Sequence, residues 1–144
     1  MVFVDLPVAD LDRATAFYEG LGWRIEPHCA DEDAACVVVS DAISLMILRR
    51  EHFQAFTTKQ GAGSATTAQV LVAISQPSRE AVAEIAAKAL AAGGTEAREA
   101  QDHGFMVQHA VQDPDGIVLE FLWMDPRAAE QEPEAFIAEQ GYEV

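Results

Sequence analysis

The stretches "DAISLMIL", Asp41 to Leu48, and "DGIVLEFL", Asp115 to Leu122, read almost alike. They share Asp, Ile, Leu and Leu at identical spacing, and their sharpest difference is a single position, Met46 in the first copy and Glu120 in the second. A strand written twice restricts the fold to a duplicated architecture, provided that the elements around each copy also repeat. They do. Val2 to Val8 alternates with Val4, Leu6 and Val8 on one face and Phe3, Asp5 and Pro7 on the other, the period of a half-buried strand. Asp10 then caps a helix with Leu11, Ala14, Phe17, Tyr18 and Leu21 at three-to-four spacing, closed by Gly20 and Gly22. Strands follow at Trp23 to Pro27, Ala35 to Val39 and Ile43 to Leu48.

The second half runs in the same order. Gln69 to Ile74 alternates, with Val70, Val72 and Ile74 opposing Gln69, Leu71 and Ala73. Pro77 and Ser78 open a helix carrying Val82, Ile85, Ala86, Ala89 and Leu90, and Gly93 and Gly94 close it. Thr95 to Glu99, Phe105 to Val111 and Ile117 to Trp123 complete the set, with "QDPDG" as a strong turn before the last strand. The expected organisation is one domain over residues 1–125, with modules at about 2–49 and 68–125 and a Gly/Ser/Thr-rich linker at about 50–67. A helical tail is expected over 126–144. Each module is too small to bury both faces of its sheet, so a helix covers one face and leaves the other for a ligand.

Composition narrows the function. Half of the 144 residues are hydrophobic and 23% are charged, a globular balance. Net charge is −15, which repels phosphate backbones and anionic lipid and favours a cationic small ligand. No apolar run is long enough to span a bilayer and no cationic, apolar leader opens the sequence, so a cytoplasmic protein is expected, without nucleic-acid or membrane partners. Cys29 and Cys36 form no CxxC pair and read as free thiols, although a bridge across a hairpin is conceivable.

"LPVADLDRATAFYEGLGW", Leu6 to Trp23, and "VQDPDGIVLEFLW", Val111 to Trp123, resemble the opening and closing motifs of the vicinal-oxygen-chelate superfamily, also called the glyoxalase and bleomycin-resistance superfamily. The resemblance runs from Val2 to about Asp125 and includes the duplication. It implies an α+β fold of two tandem βαβββ modules, forming a curved mixed sheet around a cavity, and a homodimer. In metalloenzymes of that superfamily the ligands stand on the first and last strand of each module, all on the uncovered face. Carried over through "VFVDLPVADL" and "DPDGIVLEF" and by symmetry, those positions here are Phe3, Met46, Gln69 and Glu120.

Phe3 has no donor atom and Met46 is a poor ligand for hard or borderline cations, so only Gln69 and Glu120 keep oxygen donors where a divalent ion needs three or more protein ligands. Asp5 shares the face of Phe3 and is the one residue placed to complete an Asp5, Gln69 and Glu120 metal set. The leading expectation is therefore a metal-free protein that binds a cationic or aromatic small molecule in an apolar cavity bearing a carboxylate, without a cofactor. The expected contacts are Phe3, Asp5, Met46 and Gln69 from the first strands and their neighbours, and Glu120, Leu122 and the loop residue His103 from the second module. The alternatives are a metal-dependent lyase or dioxygenase, and a metal-free isomerase with Glu120 as general base. His109 lies with Phe105, Val107 and Val111 and reads as a satisfied, half-buried histidine on the helix-covered side.

Overall fold

Apolar alternation and capping residues produce the two modules directly. In the computed structural model, which describes residues 1–130 and 133–141, β1 (Val2–Val8) leads into α1 (Leu11–Gly20), whose first turn is capped by the Asp10 carboxylate accepting from the Arg13 amide at 3.0 Å. β2 (Arg24–Ile25), β3 (Ala34–Val38) and β4 (Ile43–Arg49) follow, and α2 (Arg50–Gln54) leads into the linker. The second module is β5 (Val72–Ser75), α3 (Arg79–Ala91, capped by Ser78), β6 (Thr95–Asp102), β7 (Met106–Gln112) and β8 (Val118–Met124). Two short 3₁₀ turns lie at Pro27–Cys29 and Pro126–Ala129, and α4 spans Pro133–Gln140. Among the described residues no helix is long and apolar enough to cross a membrane.

The sheets repeat each other: β1-β4-β3-β2 in the first module and β5-β8-β7-β6 in the second, each with one parallel pair, β1 with β4 and β5 with β8. The expected curved mixed sheet thus exists as two four-stranded halves, because among the described residues no strand of one pairs with a strand of the other. Val8, Leu45 and Ile47 of the first sheet and Leu119, Phe121 and Val111 of the second are fully buried in one continuous core with Phe17 and Tyr18 of α1 and Val82 and Ala89 of α3. Since both helix-covered faces share that core, both open faces look outward. Where α1 meets the exit of α3, a Cβ on Gly20 would sit 2.7 Å from the Ala92 Cβ, so glycine permits the approach.

The seam is held by the turn before β8. Asp113 accepts the Tyr18 hydroxyl at 2.8 Å and the amides of Asp115 and Ile117 at 2.9 Å. Asp115, whose side chain is 1% exposed, accepts the Ala9 amide at 2.8 Å and lies 3.3 Å from the Arg13 guanidinium and 3.8 Å from that of Arg50. These contacts fall on its Oδ1; Oδ2 is buried with no hydrogen-bond partner among the described residues. Gly116 is obligatory beside it: its φ is +88°, and a Cβ would stand 2.5 Å from the Ser64 carbonyl oxygen of the linker.

Several sequence expectations shift. β2 is two residues rather than five, and β6 runs three residues further, to Asp102. The helix α2 was not expected; it lacks apolar periodicity and no side chain caps it. The consequential change concerns β5, which begins at Val72 rather than at Gln69. Both thiols are free, Cys36 buried and Cys29 exposed.

Burial, reinforced by the negative charge of Asp113, holds the Tyr18 phenol well above its ordinary value, and burial likewise raises Asp113. A folded-state pKa raised above the unfolded one gives stability that is fully present below about pH 10 and lost as pH climbs past it. Tyr18→Phe should lower unfolding free energy at neutral pH by about 1–2 kcal/mol, since Asp113 loses a buried donor. Denaturant titrations across the alkaline range should show a flatter pH dependence in the variant; an unchanged slope above about pH 10 would contradict this assignment.

Candidate ligand-binding site

β1 and β4 together place Phe3, Asp5, Ser44 and Met46 on the open face of the first sheet, with Phe3 opposite Ser44 and Asp5 opposite Met46. The burial pattern agrees with the expected alternation: Leu6 and Val8 are buried, whereas Phe3 is 56% exposed. β8 places Glu120 and Leu122 on the open face of the second sheet, alternating with the buried Leu119 and Phe121.

Gln69 requires a correction. In the parallel ladders Asp5 faces Met46 and Ala73 faces Glu120, so Phe3 corresponds to Leu71 and Gln69 lies two residues before the equivalent position. A slip of two preserves which face every side chain takes, so alternation alone could not detect it. The four positions that correspond to metal-ligand positions by register are therefore Phe3, Met46, Leu71 and Glu120. They offer one carboxylate, a thioether and two hydrocarbon side chains, a donor set that does not fit a divalent ion. Among the described residues no group of three or more His, Cys, Asp or Glu side chains converges.

That single carboxylate is already engaged. Glu120 accepts a hydrogen bond from the Arg98 Nη2 at 2.9 Å, and its side chain is 18% exposed against 44% for Arg98. Beneath them lies Ala110, in register with both and 2% exposed. Gln108 donates to Gln101 at 2.8 Å further along the same face. Leu122 is half-buried beside this polar strip.

The remaining candidates separate. Asp5 and Gln69 line a seam cavity of about 290 Å³ between β1, the linker and the start of β8, together with Phe53, Lys59 and Val118. Glu120 does not line it, so the Asp5, Gln69 and Glu120 set is not assembled around that cavity. His103 is exposed in the β6–β7 turn, where its amide donates to the Met106 carbonyl at 2.8 Å, and it does not line the cavity either. Beside it Asp102 pairs with Arg79, which stacks on Trp123 with its guanidinium carbon 5.7 Å from the ring centroid. Trp23 is stacked on Tyr18 in the core, ring centroids 6.1 Å apart. His109 has the role read from the sequence: it shares a face with Val107 and the buried Val111, and its Nε2 lies 2.6 Å from Glu96. Sequence reasoning missed Arg98, because its strand positions depend on irregularities in β6 that period-two reading does not contain.

Comparison with known structures fits this geometry. A glyoxalase-related enzyme from Fulvimarina pelagi superposes with a TM-score of 0.73 at 21% identity, covering 85% of this chain and 86% of the other. A lactoylglutathione lyase from Agrobacterium tumefaciens gives 0.64 at 16% identity over 85% and 92%. The bleomycin resistance determinant encoded on transposon Tn5 gives 0.57 at 20% identity over 87% and 98%. The chain has the fold of the vicinal-oxygen-chelate superfamily. Residues 1–40 also match the family described as bleomycin resistance protein-like N-terminal. None of the curated proteins matches. At these identities the structural likeness establishes the glyoxalase/bleomycin-resistance fold, and it spans both lyase and resistance proteins.

The seam and the open face should respond differently to mutation. Asp115→Ala, which strands two guanidinium groups and the Ala9 amide, should cost about 3 kcal/mol. Glu120→Met, which copies the first module, should cost about 1 kcal/mol or less, since its Arg98 partner faces solvent. Urea denaturation of both variants checks this; equal losses would contradict a structural role for one and a site role for the other.

Proposed function

We propose that the protein binds a small, largely apolar molecule without a resident metal, in the manner of a sequestration or resistance protein, at the open face that carries Glu120. The observation that carries this reading is the donor set at the four ligand-equivalent positions: Phe3, Met46 and Leu71 offer no hard donor, and the one carboxylate, Glu120, is itself paired to Arg98. Such a set is an apolar surface with one polar anchor, the usual make-up of a small-molecule site. Phe3, Met46 and Leu122 supply adaptable walls, and Glu120 with Arg98 orients the ligand. Asp5 and His103 stand at the margins, and Gln69 belongs to the seam. Within this reading residues 1–125 are the binding unit, 126–144 an appended segment, and the free thiols suit the cytoplasm.

The site is completed by a second copy. Val2 and Phe3 on β1, an edge strand, and Val70 and Leu71 before β5, the other edge, are all more than half exposed. They are equivalent positions of the two modules, and a dimer that covers both sets would bring Phe3 and Met46 of one copy over Glu120 and Leu122 of the other.

Two measurements test this. Untagged protein incubated with Zn, Ni, Mn and Fe(II), then desalted, should retain no stoichiometric metal by elemental mass spectrometry; about one ion per chain would overturn the metal-free reading. Light scattering coupled to size exclusion should give twice the 15.6 kDa chain mass. Phe3→Glu should convert it to monomer with an unchanged circular dichroism spectrum, and a wild-type monomer at micromolar concentration would remove the shared cavity.

A further inference from the structure

Two register shifts flank Arg98 within the eight residues of β6. Thr95 and Glu96 pair with Gln112 and Val111, but Arg98 pairs with Ala110, so one residue, Ala97, is extra. Between Arg98 and Gln101, which pairs with Gln108, a second residue is extra. Without the first bulge Ala97 would face Ala110 and Arg98 would face His109, on the helix-covered side beside Glu96. The bulge turns Arg98 through to the open face, next to Glu120, and the second returns Gln101 to the same face.

At the open-face positions of the second sheet's four strands, Arg98 is the only basic residue among those described. Its Nη2 serves Glu120, while the other guanidinium nitrogens of this side chain, 44% exposed as a whole, have no hydrogen-bond partner among the described residues. The neighbouring Gln101 and Gln108 are bonded to each other, and the remaining surroundings, Leu122, Val118 and Ala110, are apolar. A carboxylate with its charge compensated is a poor anchor for a cation; a guanidinium with free N–H groups above an apolar floor is a good anchor for an oxyanion.

We infer that Arg98, delivered by the β6 bulge, is the specificity-determining residue of the site, and that the ligand is an apolar or aromatic body bearing an acidic oxyanion such as a carboxylate or sulfonate. The inference rests on the open-face binding reading and adds the ligand class. It replaces the cationic preference that the net charge of −15 suggested. That charge acts at long range and is screened over about 8 Å at physiological ionic strength, whereas the contact at Arg98 is local.

The test uses two fluorescent probes of one skeleton, anionic 1-anilinonaphthalene-8-sulfonate and uncharged N-phenyl-1-naphthylamine, titrated into the full chain. Wild type should bind both. Arg98→Met should weaken the sulfonate roughly 10-fold or more while leaving the neutral probe within about 2-fold. Glu120→Gln should strengthen the sulfonate, because it frees Arg98 and removes a like charge. Equal losses of both probes in Arg98→Met, no loss of either, or parallel losses in Arg98→Met and Glu120→Gln would each overturn the assignment and leave a structural ion pair. If the neutral probe fails to bind wild type at all, it is the underlying cavity reading that fails.

Discussion

Everything distinctive about this chain depends on the burial of two carboxylates in one turn. Asp113 and Asp115, both under 6% exposed, connect the turn before β8 to the first module through Tyr18, Ala9, Arg13 and Arg50. Burying a carboxylate is costly unless donors surround it, and here most of the donors come from the other module. The turn can therefore be buried only when the modules are in place, so it specifies one arrangement of the two halves. That arrangement puts both helix-covered faces into a common core, and the open faces are turned out as a consequence.

The duplication explains why the copies diverge where they do. Asp41 and Ala42 in the first copy are exposed and make no seam, so they are free of the constraints on Asp115 and Gly116. Met46 and Glu120 differ for another reason: the row across the first sheet is Asp5, Met46 and Cys36, whereas the row across the second is Ala73, Glu120, Ala110 and Arg98. A carboxylate beside Asp5 would meet a like charge, while in the second module a guanidinium stands ready for it. The same fold thus has one soft, apolar face and one face with a polar anchor.

Much of this was legible from residues alone. Alternation placed Phe3 and Glu120 on open faces and His109 on the covered one, and the cap residues Asp10 and Ser78 fixed the helix starts. What escaped was whatever leaves the face of a side chain unchanged or changes it by one irregular residue. The two-residue offset that separates Gln69 from Leu71 is invisible to a period of two, and the bulge at Ala97 inverts the face of Arg98 without any composition signal. The role of "QDPDG" was hidden for a different reason. Its residues suit an exposed turn as well as a buried one, and only the long-range partners Tyr18, Arg13 and Arg50 distinguish the two.

The central claim, that ligand binds the open face of the second sheet, is tested most directly by mapping amide chemical shifts while N-phenyl-1-naphthylamine is titrated into isotope-labelled protein. Perturbations concentrated on β8 around Glu120 and Leu122, and on β7 around Ala110, are the predicted result. Perturbations confined to the linker and to residues 116–118 would instead assign binding to the seam cavity that Asp5 and Gln69 line, and would contradict the account.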